Sequence, residues 1–144
     1  MIIRGFFGRK VTEAYIPAIV VCDTLNFVEM MRFLVDTGAS KSCLSQGDAL
    51  RYGIDYSKLE KGGTALGIGG VCEIYSMCNC IFAFKIDGES GFHRIRLNKV
   101  GVLKNSSTNS EMKKRVMVLP SLLGRDVLDK FELIRRKDTL ILLK

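Results

Sequence analysis

The sequence predicts an all-β fold in a single domain spanning residues 1–144. Three observations carry this expectation. The apolar runs are short, rich in Val, Ile and Phe, and separated by Gly, Asn, Asp and Ser, which is the pattern of strands joined by tight turns. The length of 144 residues is that of one domain, and two would be crowded. Hydrophobic residues make up 47% and charged residues 26%, so the chain can bury a core without disulfide staples and is not a disordered composition. No internal repeat is visible.

Taken in order, strands are expected over Ile2–Phe7, Ala14–Val21, Arg32–Val35, Cys72–Lys85 with breaks, Phe92–Leu103, Arg115–Leu119, Glu132–Arg135 and Thr139–Leu143. Asp87-Gly88 and Lys137-Asp138 lie between strand-like runs and read as turns. Two short helices are expected. Gln46–Tyr52 ends at Gly53, a suitable C-terminal stop. Arg125–Phe131 places Val127, Leu128 and Phe131 on one side. The wholly polar run Asn105–Ser110 reads as a surface loop, followed by the solvated basic group Lys113-Lys114-Arg115.

Composition excludes several function classes. One His in the chain leaves His-rich zinc sites and Ser-His-Asp triads without material; His93 itself reads as a satisfied strand residue. The five cysteines, Cys22, Cys43, Cys72, Cys78 and Cys80, are odd in number, which argues against a closed disulfide framework and for free thiols in a reducing, cytoplasmic location. Cys78 and Cys80, two apart, would share one face of a regular strand. With Cys72 they make only three neighbouring thiols and no His, so small buried apolar residues are expected here and no metal site. Met30-Met31 and Phe6-Phe7 read as core or interface fill. No run reaches the roughly 18 apolar residues of a membrane-spanning helix, and Ala14–Cys22 is interrupted by Pro17 and lacks a signal-cleavage pattern. The net charge of +7 leaves anionic partners open, although no stacking-aromatic cluster supports nucleic-acid binding.

The informative segment is Phe33-Leu34-Val35-Asp36-Thr37-Gly38-Ala39-Ser40. An apolar strand runs straight into a carboxylate, a costly placement that demands a structural or a catalytic reason. Gly38 allows a sharp turn and a close approach of its N–H to that carboxylate. The Thr37 hydroxyl can tie the turn to a neighbour. The bland alternative is an Asp that caps a turn.

Asp36-Thr37-Gly38-Ala39-Ser40 after a hydrophobic strand resembles the active-site signature of aspartic proteases. Two further elements follow in order. Gly67-Ile68-Gly69-Gly70 resembles the glycine-rich flap tip of the retropepsins. Leu119-Pro120-Ser121-Leu122-Leu123-Gly124-Arg125-Asp126-Val127-Leu128 resembles the apolar pair, Gly and helix near the C-terminus of retropepsin-like proteases. The strand pair Phe131–Ile134 and Thr139–Leu142 is similar to the end of several cellular members. Together these cover Ala14 to Leu143. A plain surface turn is the alternative at Gly67–Gly70; a phosphate loop lacks its Lys-Ser/Thr there.

The resemblance implies a closed acid-protease β-barrel and a two-fold homodimer. A pepsin-like pair of lobes is not available, because the chain holds one Asp-Thr-Gly; a second subunit would supply the other carboxylate. The implied activity is aspartic endopeptidase on a polypeptide substrate, with Asp36 catalytic and no cofactor or metal. Thr37, Gly38, Ala39 and Ser40 would form the active-site turn. Gly67, Ile68, Gly69 and Gly70 would close over substrate. Leu122, Leu123, Gly124, Arg125 and Asp126 would form the supporting segment. Retroviral members often carry an acid four residues after the catalytic Asp, paired with an Arg after the C-terminal Gly; here that position is Ser40, so Arg125 needs another partner, Asp126 or a carboxylate at the subunit interface. The alternatives are a retropepsin-like module that binds peptides without cutting them and a basic nucleic-acid-binding domain.

Overall fold

The computed structural model describes residues 1–10, 12–67, 70–106 and 109–144, without the side chains of residues 65–67 and 70. The chain begins with β1 (Ile2–Arg4) and β2 (Phe6–Phe7), then the long pair β3 (Ala14–Cys22) and β4 (Phe27–Val35). β5 (Cys43–Leu44) leads into helix α1 (Gln46–Arg51). β6 (Glu60–Gly67), β7 (Gly70–Lys85) and β8 (Phe92–Asn105) form an antiparallel meander. Helix α2 (Ser110–Met117), β9 (Ser121–Leu123), helix α3 (Arg125–Leu128) and the hairpin β10 (Glu132–Arg135) and β11 (Leu140–Leu143) complete it.

Six strands close into a barrel in the order β3-β4-β9-β5-β8-β7, with β7 returning to β3 at Ile19↔Ala83 through Cys22↔Cys80. Closure leaves few free sheet edges. Its interior is filled by Ile16, Val20, Phe33, Leu44, Phe82, Phe84, Val100, Val102 and Leu123, all at 0% exposure. A second sheet, β1-β11-β10, joins the first strand of the chain to the last two: Ile2 pairs with Leu143.

The expected all-β class and closed barrel hold, and the differences have local causes. Ile2–Phe7 is two strands in two sheets. Gly5 divides them where its backbone runs tight against Leu140 and Tyr15: an added Cβ would lie 2.5 Å from Leu140 Cδ2 and 2.5 Å from the Tyr15 carbonyl oxygen. β4 begins five residues before the expected Arg32, at Phe27, because it pairs with β3 from Phe27 to Leu34. β7 runs unbroken over 16 residues. Arg115–Leu119 is not a strand. Its first three residues belong to α2, which starts on the Asn109 side chain accepting from the Glu111 and Met112 N–H groups. The basic group Lys113-Lys114-Arg115 therefore lies on a helix.

Cys78 and Cys80 do not share a face. Asn79 takes a left-handed backbone (φ 55°), and the side-chain alternation changes phase there. Met77 points into the core, and beyond Asn79 so do Cys80, Phe82 and Phe84. The Cys78 thiol instead approaches the Glu60 carboxylate at 3.7 Å. None of the five cysteines forms a disulfide, and Cys22, Cys72 and Cys80 are buried. Met31 is core at 2% exposure whereas Met30 is 55% exposed. His93 lies in β8 with its ring edge-on to Phe131; burial, and then the charge of Lys144, lower its pKa. Among the described residues no helix is long and apolar enough to cross a membrane.

Candidate active site

β4 delivers Asp36 at its C-terminal end. Parallel pairing of β4 with β9, Val35 opposite Leu123, sets the position of the following turn. The Asp36 N–H donates to the Leu123 carbonyl at 3.0 Å, and the Ala39 N–H donates to the Asp36 carbonyl at 3.2 Å. The chain then reverses, and the Gly38 N–H donates to Asp36 Oδ1 at 2.9 Å. A Cβ at Gly38 would stand 3.2 Å from that same oxygen, so this tight N–H-to-carboxylate approach favours glycine. Asp36 is half-buried, and Thr37, Gly38 and Ser40 face solvent. The Thr37 side chain has no hydrogen-bond partner among the described residues.

α3 supports this turn from behind. The Arg125 N–H donates to the Ala39 carbonyl at 2.9 Å and the Asp126 N–H to the Ser40 carbonyl at 3.2 Å. Gly124 is required for this approach. A Cβ there would lie 2.5 Å from the Lys41 carbonyl carbon and 2.9 Å from the Ser42 nitrogen. The Asp126 carboxylate accepts from the Ser42 N–H at 3.0 Å and from the Ser42 hydroxyl at 2.7 Å. Ser42 Oγ in turn accepts the Gly124 N–H at 2.9 Å. Asp126 is thus engaged by Ser42, while the Arg125 side chain stays exposed. Ser42 is fully buried and was not flagged by the sequence, since a lone serine after the signature carries no pattern of its own.

Beside Asp36 opens a mostly apolar cavity of about 310 Å³. Leu122 from β9, Leu103 from β8, Val116 from α2 and the Leu119-Pro120 link form its apolar wall, with Gln46 and Asn105 adding amides. Leu123, the other member of the apolar pair, points into the barrel core. Cys43 sits nearby on β5. Burial, joined by the Asp36 and Asp126 carboxylates, pushes its thiol up to about 11, against a smaller lowering by a hydrogen bond with the Leu122 backbone. It is a protonated structural residue near neutral pH, not a thiolate nucleophile. No cluster of His, Cys, Asp and Glu suited to a metal occurs among the described residues.

The glycine-rich segment joins β6 to β7, whose ladder runs from Glu60↔Ser76 to Gly67↔Gly70. Gly67 and Gly70 therefore end the two arms of a long hairpin. Ile68 and Gly69 lie outside the described residues.

A closed barrel carrying an Asp-Thr-Gly turn on the end of one strand, clamped by a Gly-led helix, defines the retropepsin-like aspartic protease fold. The chain belongs to the gag-polyprotein putative aspartyl protease family, whose sequence model matches residues 24–130. Its structure is similar to that of a retropepsin-like aspartic protease from Rickettsia conorii, at 26% identity and a TM-score of 0.56, covering 99% of this chain and 88% of that one. The EIAV protease solved with the inhibitor HBY-793 matches at 19% identity and a TM-score of 0.48, covering 82% of this chain and 86% of that one. The retroviral protease-like domain of Ddi1 from Leishmania major matches at 16% identity and a TM-score of 0.47, covering 94% and 97%. No curated protein matches the sequence.

Proposed function

We propose that the protein is an aspartic endopeptidase that works as a two-fold homodimer, with Asp36 of each protomer forming the catalytic pair. The observation that carries this is the setting of Asp36: its carboxylate is oriented by the Gly38 N–H and borders a mostly apolar cavity able to take a substrate side chain. One Asp-Thr-Gly per chain makes the second carboxylate a matter of symmetry. The reading treats residues 1–144 as one domain, supported by the pairing of β1 with β11.

The chemistry follows from two carboxyl groups at short range, which share one proton because both cannot readily ionise together. A water between them loses a proton to the ionised Asp36 as its oxygen attacks the scissile carbonyl carbon. The protonated Asp36 of the other protomer donates to the carbonyl oxygen. The tetrahedral intermediate then collapses as the amide nitrogen takes a proton and leaves. Thr37 and Gly38, facing outward at the turn, lock the two turns together. The Gly67–Gly70 hairpin closes over the peptide and excludes water.

The test is incubation with an unfolded protein and mass analysis of fragments, wild type beside Asp36→Asn. Discrete fragments from the wild type and none from a folded variant are expected. Equal cleavage by both removes Asp36 from the mechanism, and no cleavage by the wild type favours a peptide-binding module.

A further inference from the structure

We propose that a basic cleft beside Asp126, bounded by Lys41, Arg96, Lys99 and Lys130, is a binding site for a small oligophosphate. The cleft has a volume of about 370 Å³ and shares no lining residue with the cavity beside Asp36. Three separate segments bring the cations together: Lys41 follows the active-site turn, Arg96 and Lys99 belong to β8, and Lys130 follows α3.

Lys41, Arg96 and Lys130 are exposed, and none of them enters an ion pair among the described residues. Lys99 has Glu60 at 3.4 Å, with both side chains more than half exposed, a pairing that solvent and salt weaken. The one carboxylate in the wall is Asp126, which accepts the N–H and hydroxyl of Ser42. Four cations thus line a cleft whose own carboxylate, Asp126, is already supplied with donors, and Glu60 offsets Lys99 alone.

Like charges gathered around a concavity repel one another until an anion enters, and a cleft focuses their field inward. Arg96 offers the planar fork that fits phosphate oxygens, Lys41 and Lys130 offer mobile point charges, and Asn98 adds an amide at the wall. The volume is at the small-molecule end of ligand sites. It suits a chain of two or three phosphates, free or as the tail of a nucleotide, more than a polynucleotide, which needs an extended basic stripe and bases to stack.

The experiment is calorimetric titration of the wild-type protein with inorganic tripolyphosphate, in phosphate-free buffer at fixed ionic strength. Saturable binding of one tripolyphosphate per chain is expected. Lys41→Gln, Arg96→Gln and Lys130→Gln should each weaken it by about tenfold, while Lys113→Gln on α2 should leave it unchanged. ATP in a parallel titration separates the sources: binding tighter than tripolyphosphate assigns a nucleotide, equal or weaker binding assigns the bare phosphate chain, and both support the site. All these positions are exposed, so matching melting curves will show that the variants fold. Absence of saturable binding overturns the proposal. So does binding that Lys113→Gln weakens as much as Lys41→Gln, or binding of a single-stranded oligonucleotide without binding of tripolyphosphate.

Discussion

Ser42 and Asp126 hold the strand after the active-site turn against the helix behind it. The Ser42 N–H reaches both carboxylate oxygens at 3.0 Å, and its hydroxyl reaches Oδ1 at 2.7 Å. The same hydroxyl oxygen accepts the Gly124 N–H. One buried serine therefore satisfies a charged group and a helix N-terminal amide together, and ties both to the segment that leads back to Asp36.

Ser42→Ala should be strongly destabilising for so small a change. It removes one donor from Asp126 and the acceptor of Gly124 at a fully buried position. A buried polar group left without a partner costs about 1–3 kcal/mol. Thermal and urea melts should show that loss, and peptidase activity should fall with it, since the turn carrying Asp36 loses its backing. An unchanged melting temperature would mean that this contact does not hold the turn.

Gly124→Ala should cost about 1–3 kcal/mol, the usual range for overpacking. The reason is space, because the backbone at Gly124 is extended (φ −94°). The added carbon would meet the Lys41 carbonyl group and the Ser42 nitrogen, which are backbone and cannot swing aside. Gly88→Ala provides the contrast. There φ is +75° with nothing within 4 Å, so the penalty is conformational strain at a surface turn and activity should survive.

How far these features were legible depends on where their cause lies. The Asp36–Ser40 turn is specified by adjacent residues, so its signature could be read directly. β3, β8 and the β10–β11 hairpin carry enough Val, Ile and Leu to announce themselves. β6 does not: Glu60-Lys61-Gly62-Gly63 has no apolar alternation and is extended because β7 pairs with it. α2 was misread because Val116, Met117 and Val118 suggest a strand, while its Asn109 cap was hidden in a polar run. The phase change at Asn79 left no sequence trace, since a left-handed Asn looks like any other. Ser42 and the cavity wall at Val116 and Leu119 became visible only when the fold brought distant segments together.

Stability should fall as the solution turns alkaline. The Cys43 thiol is raised from 9.0 to about 11, so between those values the unfolded chain releases a proton that the folded chain retains. The unfolded state then binds fewer protons, and unfolding becomes easier as pH rises from about 9 to 11. Tyr56, raised to about 12 by burial and then by Tyr75, and Cys80, raised by burial and by Cys22, act in the same direction. The Cys43 share is on the order of 3 kcal/mol at most. Melting curves at pH 8 and 11 should diverge less for Cys43→Ala than for the wild type. Equal divergence would assign the alkaline loss to the other two groups.

Specific activity should depend on protein concentration, because a lone protomer offers one Asp36 and no proton-sharing partner. In a symmetric pair the two carboxyl groups are chemically identical, and their protons leave in two steps that belong to the pair. The working form holds one proton, so activity should be greatest in acid to mildly acidic solution and should vanish once both groups are ionised. Mixing wild type with Asp36→Asn provides a sharper test than dilution alone. If protomers exchange freely, an equal mixture forms about a quarter wild-type pairs, half mixed pairs and a quarter variant pairs, by random association. A mixed pair has one carboxyl group and one amide, and lacks the shared proton. Adding excess inactive variant should then suppress wild-type activity well beyond simple dilution. Light scattering on the same samples should show a dimer throughout. Activity that adding the variant leaves untouched, in a protein that scatters as a monomer, would require the second proton-transfer group to come from within one chain.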